Sequence, residues 1–204
     1  WALQTGFVAF RAGQLATLLP ALREMAASSD IAVNWQAPFG MALLADGHRD
    51  EAMAVLDGFD APPLDFFWLS TTQGFAELAV SLERDDEVTR LYEMLTPHRG
   101  QLGMTSSGAL LFGLVDLSLG QLAHALGHDD QARVHLAQAV AEADRTGSAF
   151  EAAKARRFLA ASLLRSDDTG PEVSALLAEA RELAEAHGFE AERALLADLV
   201  IATP

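Results

Sequence analysis

The residues of this chain that could do chemistry are its histidines and its paired acids. His124 and His128 stand four apart, with Asp129 and His135 following. On one helix face that spacing would offer two imidazoles and a carboxylate to a metal such as zinc. Gly127 interrupts it by ending the helix that carries His124, and His128 takes the turn position that His48 takes in another copy of the same pattern. A turn is the stronger reading, and no metal is expected. Asp85-Asp86, Asp129-Asp130 and Asp167-Asp168 could be paired general acids and bases. Their recurrence at one position favours helix starts instead, where aspartate accepts backbone N–H bonds and complements the positive end of the dipole, worth about 1 kcal/mol.

Other chemistry is missing. The chain has 204 residues, no cysteine, and 14 Lys+Arg against 29 Asp+Glu for a net charge of −15. Thiol catalysis, thiolate metal sites and disulfides are excluded, and phosphate backbones are poor partners. The only lysine, Lys154, has no glycine-rich loop before it, so no nucleotide or other cofactor is expected. His-Glu-x-x-His and Gly-x-Ser-x-Gly are absent, and Lys154, Arg156 and Arg157 are too few cations for a nucleic-acid face. The apolar run 108–115 stops at Asp116, too short to span a bilayer. The N-terminus lacks a signal-peptide pattern, and a cytoplasmic location is expected. A start at Trp1 rather than Met leads us to expect a fragment of a longer protein. The cluster Phe66-Phe67-Trp68, with Phe75 beyond it, reads mainly as core, but adjacent helical residues cannot all face inward. One of the three should be exposed or meet another domain.

What positions these residues is a repeat. Gly47-His48-Arg49-Asp50-Glu51-Ala52 matches Gly127-His128-Asp129-Asp130-Gln131-Ala132 at an offset of 80 residues, with further acidic turns at Arg84–Val88 and Ser166–Val173. Anchored on Ala52, Val88, Ala132 and Val173, the spacings are 36, 44 and 41. Each anchor opens an amphipathic helix, as in Val88, Leu91, Tyr92 and Leu95, with apolar residues at i, i+3, i+4 and i+7. Twelve residues before each anchor stands a small residue, Gly40, Ala76, Gly120 or Ala161, which would let helix axes approach closely. The unit is a helix hairpin that buries its face only by stacking. Hairpins are expected at 1–28, 31–59, 64–96, 106–146 and 148–187, with a last helix at 190–200, all in one helical-repeat domain. Pro20 should kink or delay its helix, and Pro38 poses the same problem. The expected class is all-α, a solenoid with no sheet.

Leu119-Gly120, Ala123, Gly127, Ala132, Leu136 and Ala139 resemble the tetratricopeptide repeat, with Asp116 where that repeat often has Trp. The resemblance implies a right-handed superhelix of antiparallel helix hairpins. More narrowly, Leu91–Gly100, 114–126 and 127–147 resemble the helical region of large actinobacterial signalling ATPases, the LuxR-type (MalT-like) transcriptional regulators and the related cyclase-linked ATPases. His98 departs from that family's usual Tyr after the Pro. The resemblance implies a regulatory arm that senses an inducer or partner and restrains an ATPase, with roles in transcription regulation and signal transduction.

In such a stack the first helix of each hairpin lines the concave face. Counting from the anchors places Asn34, Met41, Ser70, Gln73, Glu77, Leu117, Gln121, His124, Phe158 and Ser162 there. Lys and Arg are missing from the central repeats of this face, which disfavours a clamp for a peptide carboxylate. The expected partner is a protein or peptide, including other domains of the parent chain, or a small neutral inducer. Nucleic acid and membrane are not expected. The sequence reads as a non-catalytic interaction domain first, a free-standing adaptor or scaffold second, and an enzyme sited in the groove well below both. Apolar ends, Trp1, Phe7 and Phe10 on one side and Leu195, Leu196, Leu199 and Val200 on the other, lead us to expect open faces and self-association.

Overall fold

A computed structural model describes residues 2–27, 32–60, 67–105, 110–166 and 169–201. Among them the chain is all-α apart from one small β-hairpin. The helices are α1 (Ala2–Arg11), α2 (Leu19–Ala26), α3 (Ala32–Ala45), α4 (Arg49–Asp57), α5 (Trp68–Ser81), α6 (Asp85–Leu95), α7 (Val115–Ala125), α8 (Asp129–Thr146), α9 (Ala149–Leu164), α10 (Pro171–His187) and α11 (Glu190–Ile201). A 3₁₀ turn at Leu15–Leu18 leads into α2, and Pro20 sits in the first turn of that helix, where its missing N–H costs nothing. Pro38 stays inside α3, so the helix runs through it with one internal bond fewer.

The turns repeat one device. After α3, α5 and α7 the chain makes the same pair of bonds: His48 N to Leu43 O, Arg84 N to Ala79 O and His128 N to Ala123 O span the turn, and the preceding residue bonds within it. This is the Schellman closure, which requires a left-handed residue. Gly47 and Gly127 supply it at φ 85° and 74°, but Glu83 occupies the same position at φ 57°. The acids that follow lie in the first turns of α4, α6 and α8, while His48, Arg84 and His128 take the N-cap positions without a side-chain cap bond. The aspartates therefore serve the helix dipole rather than act as N-caps. Asp167 and Asp168 lie outside the described residues.

Consecutive helices pack against one another, and α3, α5, α7 and α9 also touch in series. These four form an inner row. Gly120 shows how close that row lies to its partners: a Cβ there would fall 2.5 Å from Leu136 Cγ of α8. Gly40 is equally tight against Leu78, Ala76 is buried, and Ala161 is only half-buried. Apolar side chains of α2–α7 and of α7–α11 fill two contiguous cores, with Phe10 and Tyr92 packed against both.

Two expectations fail here. Residues 110–114 do not begin a helix: Leu102–Thr105 (β1) pairs antiparallel with Leu110–Leu114 (β2), with a bulge after Gly103, and 106–109 lie outside the described residues. Gly113 at φ 104° is incompatible with a helix, so the fourth hairpin starts at Val115 and the chain is not sheet-free. Nor do the two ends lie open. Helix α1 touches α11, Gly13 stands beside Ala191, Phe10 meets Phe150 edge-on at 6.0 Å, and Leu196 is fully buried. Only Leu195 of the named end residues is strongly exposed, while Trp1 and the Val200 side chain lie outside the described residues. In the aromatic cluster Trp68 is buried beside the His98 ring, Phe67 is half-buried, and Phe66 is not among the described residues.

Candidate functional site

The inner row and α1 line a partly open cavity of about 110 Å³. Phe7 and Phe10 of α1, Trp35, Pro38 and Met41 of α3, Gln73 and Glu77 of α5, Leu117 and Gln121 of α7, and Phe150, Glu151 and Lys154 of α9 contribute to its wall. Met41, Gln73, Glu77 and Gln121 therefore meet in one place. Asn34 lies on α3 but its side chain is outside the description. Ser70 turns back to bond the Phe67 carbonyl at 3.0 Å and does not reach the cavity.

The polar end of the cavity is built on Glu77. Its Oε2 accepts from Lys154 Nζ at 2.5 Å and from Gln121 Nε2 at 3.2 Å. Burial pushes the Glu77 carboxyl up, but the Lys154 charge and hydrogen bond, the Gln121 bond and the Arg157 charge together hold it below the ordinary range. Gln73 faces the β-hairpin: Nε2 donates to the Gly113 carbonyl and to Ser118 Oγ at 3.3 Å each. A Cβ on Gly103 would stand 1.7 Å from Gln73 Oε1, which is buried without a partner. Glycine at 103 is what lets the hairpin seat against α5.

Arg11 does not line the cavity but anchors α1 to α9 beside it. Its Nη2 donates to Glu151 Oε1 at 3.0 Å, and its guanidinium lies over the rings of Phe7 and Phe150 at 4.3 and 4.8 Å. Lys154 Nζ stands 5.8 Å from the Phe10 ring. Thus α1 is held against α9 by cation–π and ionic contacts as well as apolar ones. Sequence reasoning missed Arg11, Glu151 and Lys154 as parts of this site. Lys154 carries a legible signal, being the chain's one lysine and set among Ala152, Ala153 and Ala155, but beside Arg156 and Arg157 it reads as part of a basic cluster. That cluster is no surface patch. Lys154, Arg156 and Arg157 are all buried on α9 and each has its own carboxylate: Glu77, then Asp144 and Glu179, then Glu192.

His124, Phe158 and Ser162 form a second group away from the cavity. His124 Nδ1 lies 2.9 Å from Ser162 Oγ and 3.3 Å from Asp129 Oδ1, while Nε2 faces Arg165 Nη2 at 2.9 Å. A guanidinium only donates, so Nε2 accepts and the proton sits on Nδ1. Burial first, and then the Arg165 charge, lower the His124 pKa against the opposing pull of Asp129, with Arg157 adding a smaller lowering effect. Serine, histidine and aspartate meet here, yet both oxygens address the same nitrogen. An imidazole that activates serine needs them on opposite nitrogens, so this group joins α7 to α9 and does not form a nucleophile. Phe158 packs edge-on to the imidazole at 5.9 Å.

His135 goes elsewhere. Its Nδ1 lies 3.0 Å from Asp116 Oδ1 and its Nε2 3.3 Å from Tyr92 Oη, and Asp116 Oδ2 accepts from Gly100 N at 2.5 Å. Burial pushes Asp116 up, while bonds from His135 and Gly100 and the charges of His135 and Arg99 bring it below its ordinary value. This buried chain ties α6, α7 and α8 to the turn before β1. Asp129 meets His124 alone while His135 pairs with Asp116, and among the described residues no three metal-ligating side chains cluster. No helix among them is long and apolar enough to cross a membrane. Comparison of the chain with protein-family models, with curated proteins and with solved structures gives no match in any of the three.

Proposed function

We propose that this chain is a non-catalytic regulatory domain, the helical-repeat sensor arm of a multidomain signal-transducing ATPase or transcriptional regulator, built as a tetratricopeptide-like right-handed superhelix. The observation that carries the reading is the convergence of four inner helices and α1 on one apolar cavity with a Glu77–Lys154–Gln121 end. Cavities of this kind, mostly apolar with a few placed polar groups, are where small molecules bind. Because α1 already lies across the concave face, a small inducer fits the remaining space better than an extended peptide. The repeated turns at His48, Arg84 and His128 support the repeat architecture.

The test is the intact mass of the native protein that carries this segment, measured on the source cells. A mass several times 21.8 kDa is expected. A mass near 21.8 kDa would overturn the arm and favour a free-standing adaptor.

A further inference from the structure

The chemistry of the cavity wall restricts what it can hold. Two carboxylates, Glu77 and Glu151, face two cations, Lys154 and Arg11, in ion pairs of 2.5 and 3.0 Å. No charge is left over for a charged ligand to neutralise. Three of the four aromatic rings in the wall already face a cation, since Arg11 covers Phe7 and Phe150 and Lys154 approaches Phe10. A charged ligand would lose its hydration and meet no unbalanced opposite charge in the wall.

The pair still has hydrogen-bonding capacity. Glu77 accepts both of its bonds on Oε2, and Oε1 has no partner among the described residues. Lys154 Nζ spends one of its three donors on Glu77. One open acceptor beside open donors matches a group that donates and accepts at once, and a hydroxyl does both. Size sets the rest: an apolar cavity of roughly 150 Å³ holds benzene, so about 110 Å³ takes a body of about five heavy atoms.

We infer that this cavity binds a small neutral aliphatic alcohol, its hydroxyl donating to Glu77 Oε1 and accepting from Lys154 Nζ, its hydrocarbon body among Phe10, Trp35, Met41 and Leu117. The inference deepens the sensor reading and rests on it for its biological role, but the binding is testable by itself.

The experiment titrates the methyl-labelled 204-residue chain with isobutanol, isobutyrate and isobutylammonium at pH 7, following methyl resonances by NMR. Isobutanol is expected to shift Met41, Leu114 and Leu117 saturably, and each charged analogue to need at least about tenfold more. Gly6 lines the cavity, and a Cβ added to it meets no atom within 4 Å. Gly6→Leu should therefore fill the space and abolish the saturable shifts; if circular dichroism shows that it does not fold, Ala37→Ile takes its place. Equal response to the charged analogues, or no saturable shift of cavity methyls with isobutanol in the wild-type chain, overturns the inference. Failure here leaves the intact-mass test untouched. A native mass near 21.8 kDa with saturable isobutanol binding would instead remove the arm and keep the alcohol site.

Discussion

Lys154 of α9 reaches Glu77 of α5, Nζ to Oε2 at 2.5 Å, and so ties together two helices through residues 77 apart in sequence. Lys154 is buried and the Glu77 side chain is a quarter exposed. The pair is the polar end of an otherwise apolar cavity and a fixed point of the stack.

Breaking this pair on one side strands a charge. Glu77→Leu should destabilise the chain by about 2–3 kcal/mol, because Lys154 is left buried and unpaired. Adding Lys154→Met should recover most of the loss. Urea unfolding of both single variants and the double variant gives the coupling directly, and additive losses would show that the two residues do not interact.

Stability should fall with acid in two stages. His124 has its pKa lowered from 6.5, so the unfolded chain binds that proton first. Its contribution is lost as pH falls below about 6.5 toward the folded value. Glu77 and Asp116 are held below 4.5 and 3.8; their contributions are present above those values and are lost as pH falls through the lower folded ones. Urea midpoints from pH 8 to 3 should show both stages, and His124→Gln should remove the first alone.

The close helix contact at Gly120 should resist even a methyl group. Gly120→Ala puts a Cβ 2.5 Å from Leu136 Cγ and 3.4 Å from the Leu136 backbone, and overpacking of this kind costs about 1–3 kcal/mol. At Gly40 the clash is with Leu78 Cδ2, the end of a flexible side chain. Gly40→Ala should cost less, because that side-chain end can move aside, whereas the gain in helix propensity of about 1 kcal/mol is common to both sites. Thermal unfolding of the two variants should rank them in that order.

Helix positions and turn chemistry were legible in the sequence because they are local. The acidic turns, the apolar stripes after Ala52, Val88 and Ala132, and the tight glycines all announce themselves at short range. The β-hairpin was not legible, because the short apolar run 110–114 has no period that separates strand from helix. Its identity depends on Gly113 at positive φ and on Gly103 seating against Gln73, which is a tertiary contact. The site was half legible. Periodicity brings Met41, Gln73, Glu77 and Gln121 to the inner row, but it carries His124, Phe158 and Ser162 to that row's far end. Nothing local says that α1 folds back over the groove or that Lys154 pairs with Glu77.

Glu83 is a local departure with a measurable consequence. It holds φ 57° where its counterparts Gly47 and Gly127 are glycine, a conformation that costs a non-glycine residue about 1–2 kcal/mol. Glu83→Gly should therefore stabilise the chain by roughly 0.5–1 kcal/mol after the added freedom of the unfolded state is counted. A lower urea midpoint for that variant would contradict the strain argument.

The most direct test of the site is whether α1 covers the cavity in solution. Proton cross-relaxation between the rings of Phe10 and Phe150, 6.0 Å apart, and between Phe10 and the Lys154 side chain can be read from a single NMR experiment on the 204-residue chain. Cross-peaks for both pairs are predicted, together with amide protection along α1. If Phe10 shows contacts only within its own helix and the α1 amides exchange freely, the cavity has no outer wall and the account of the site is wrong.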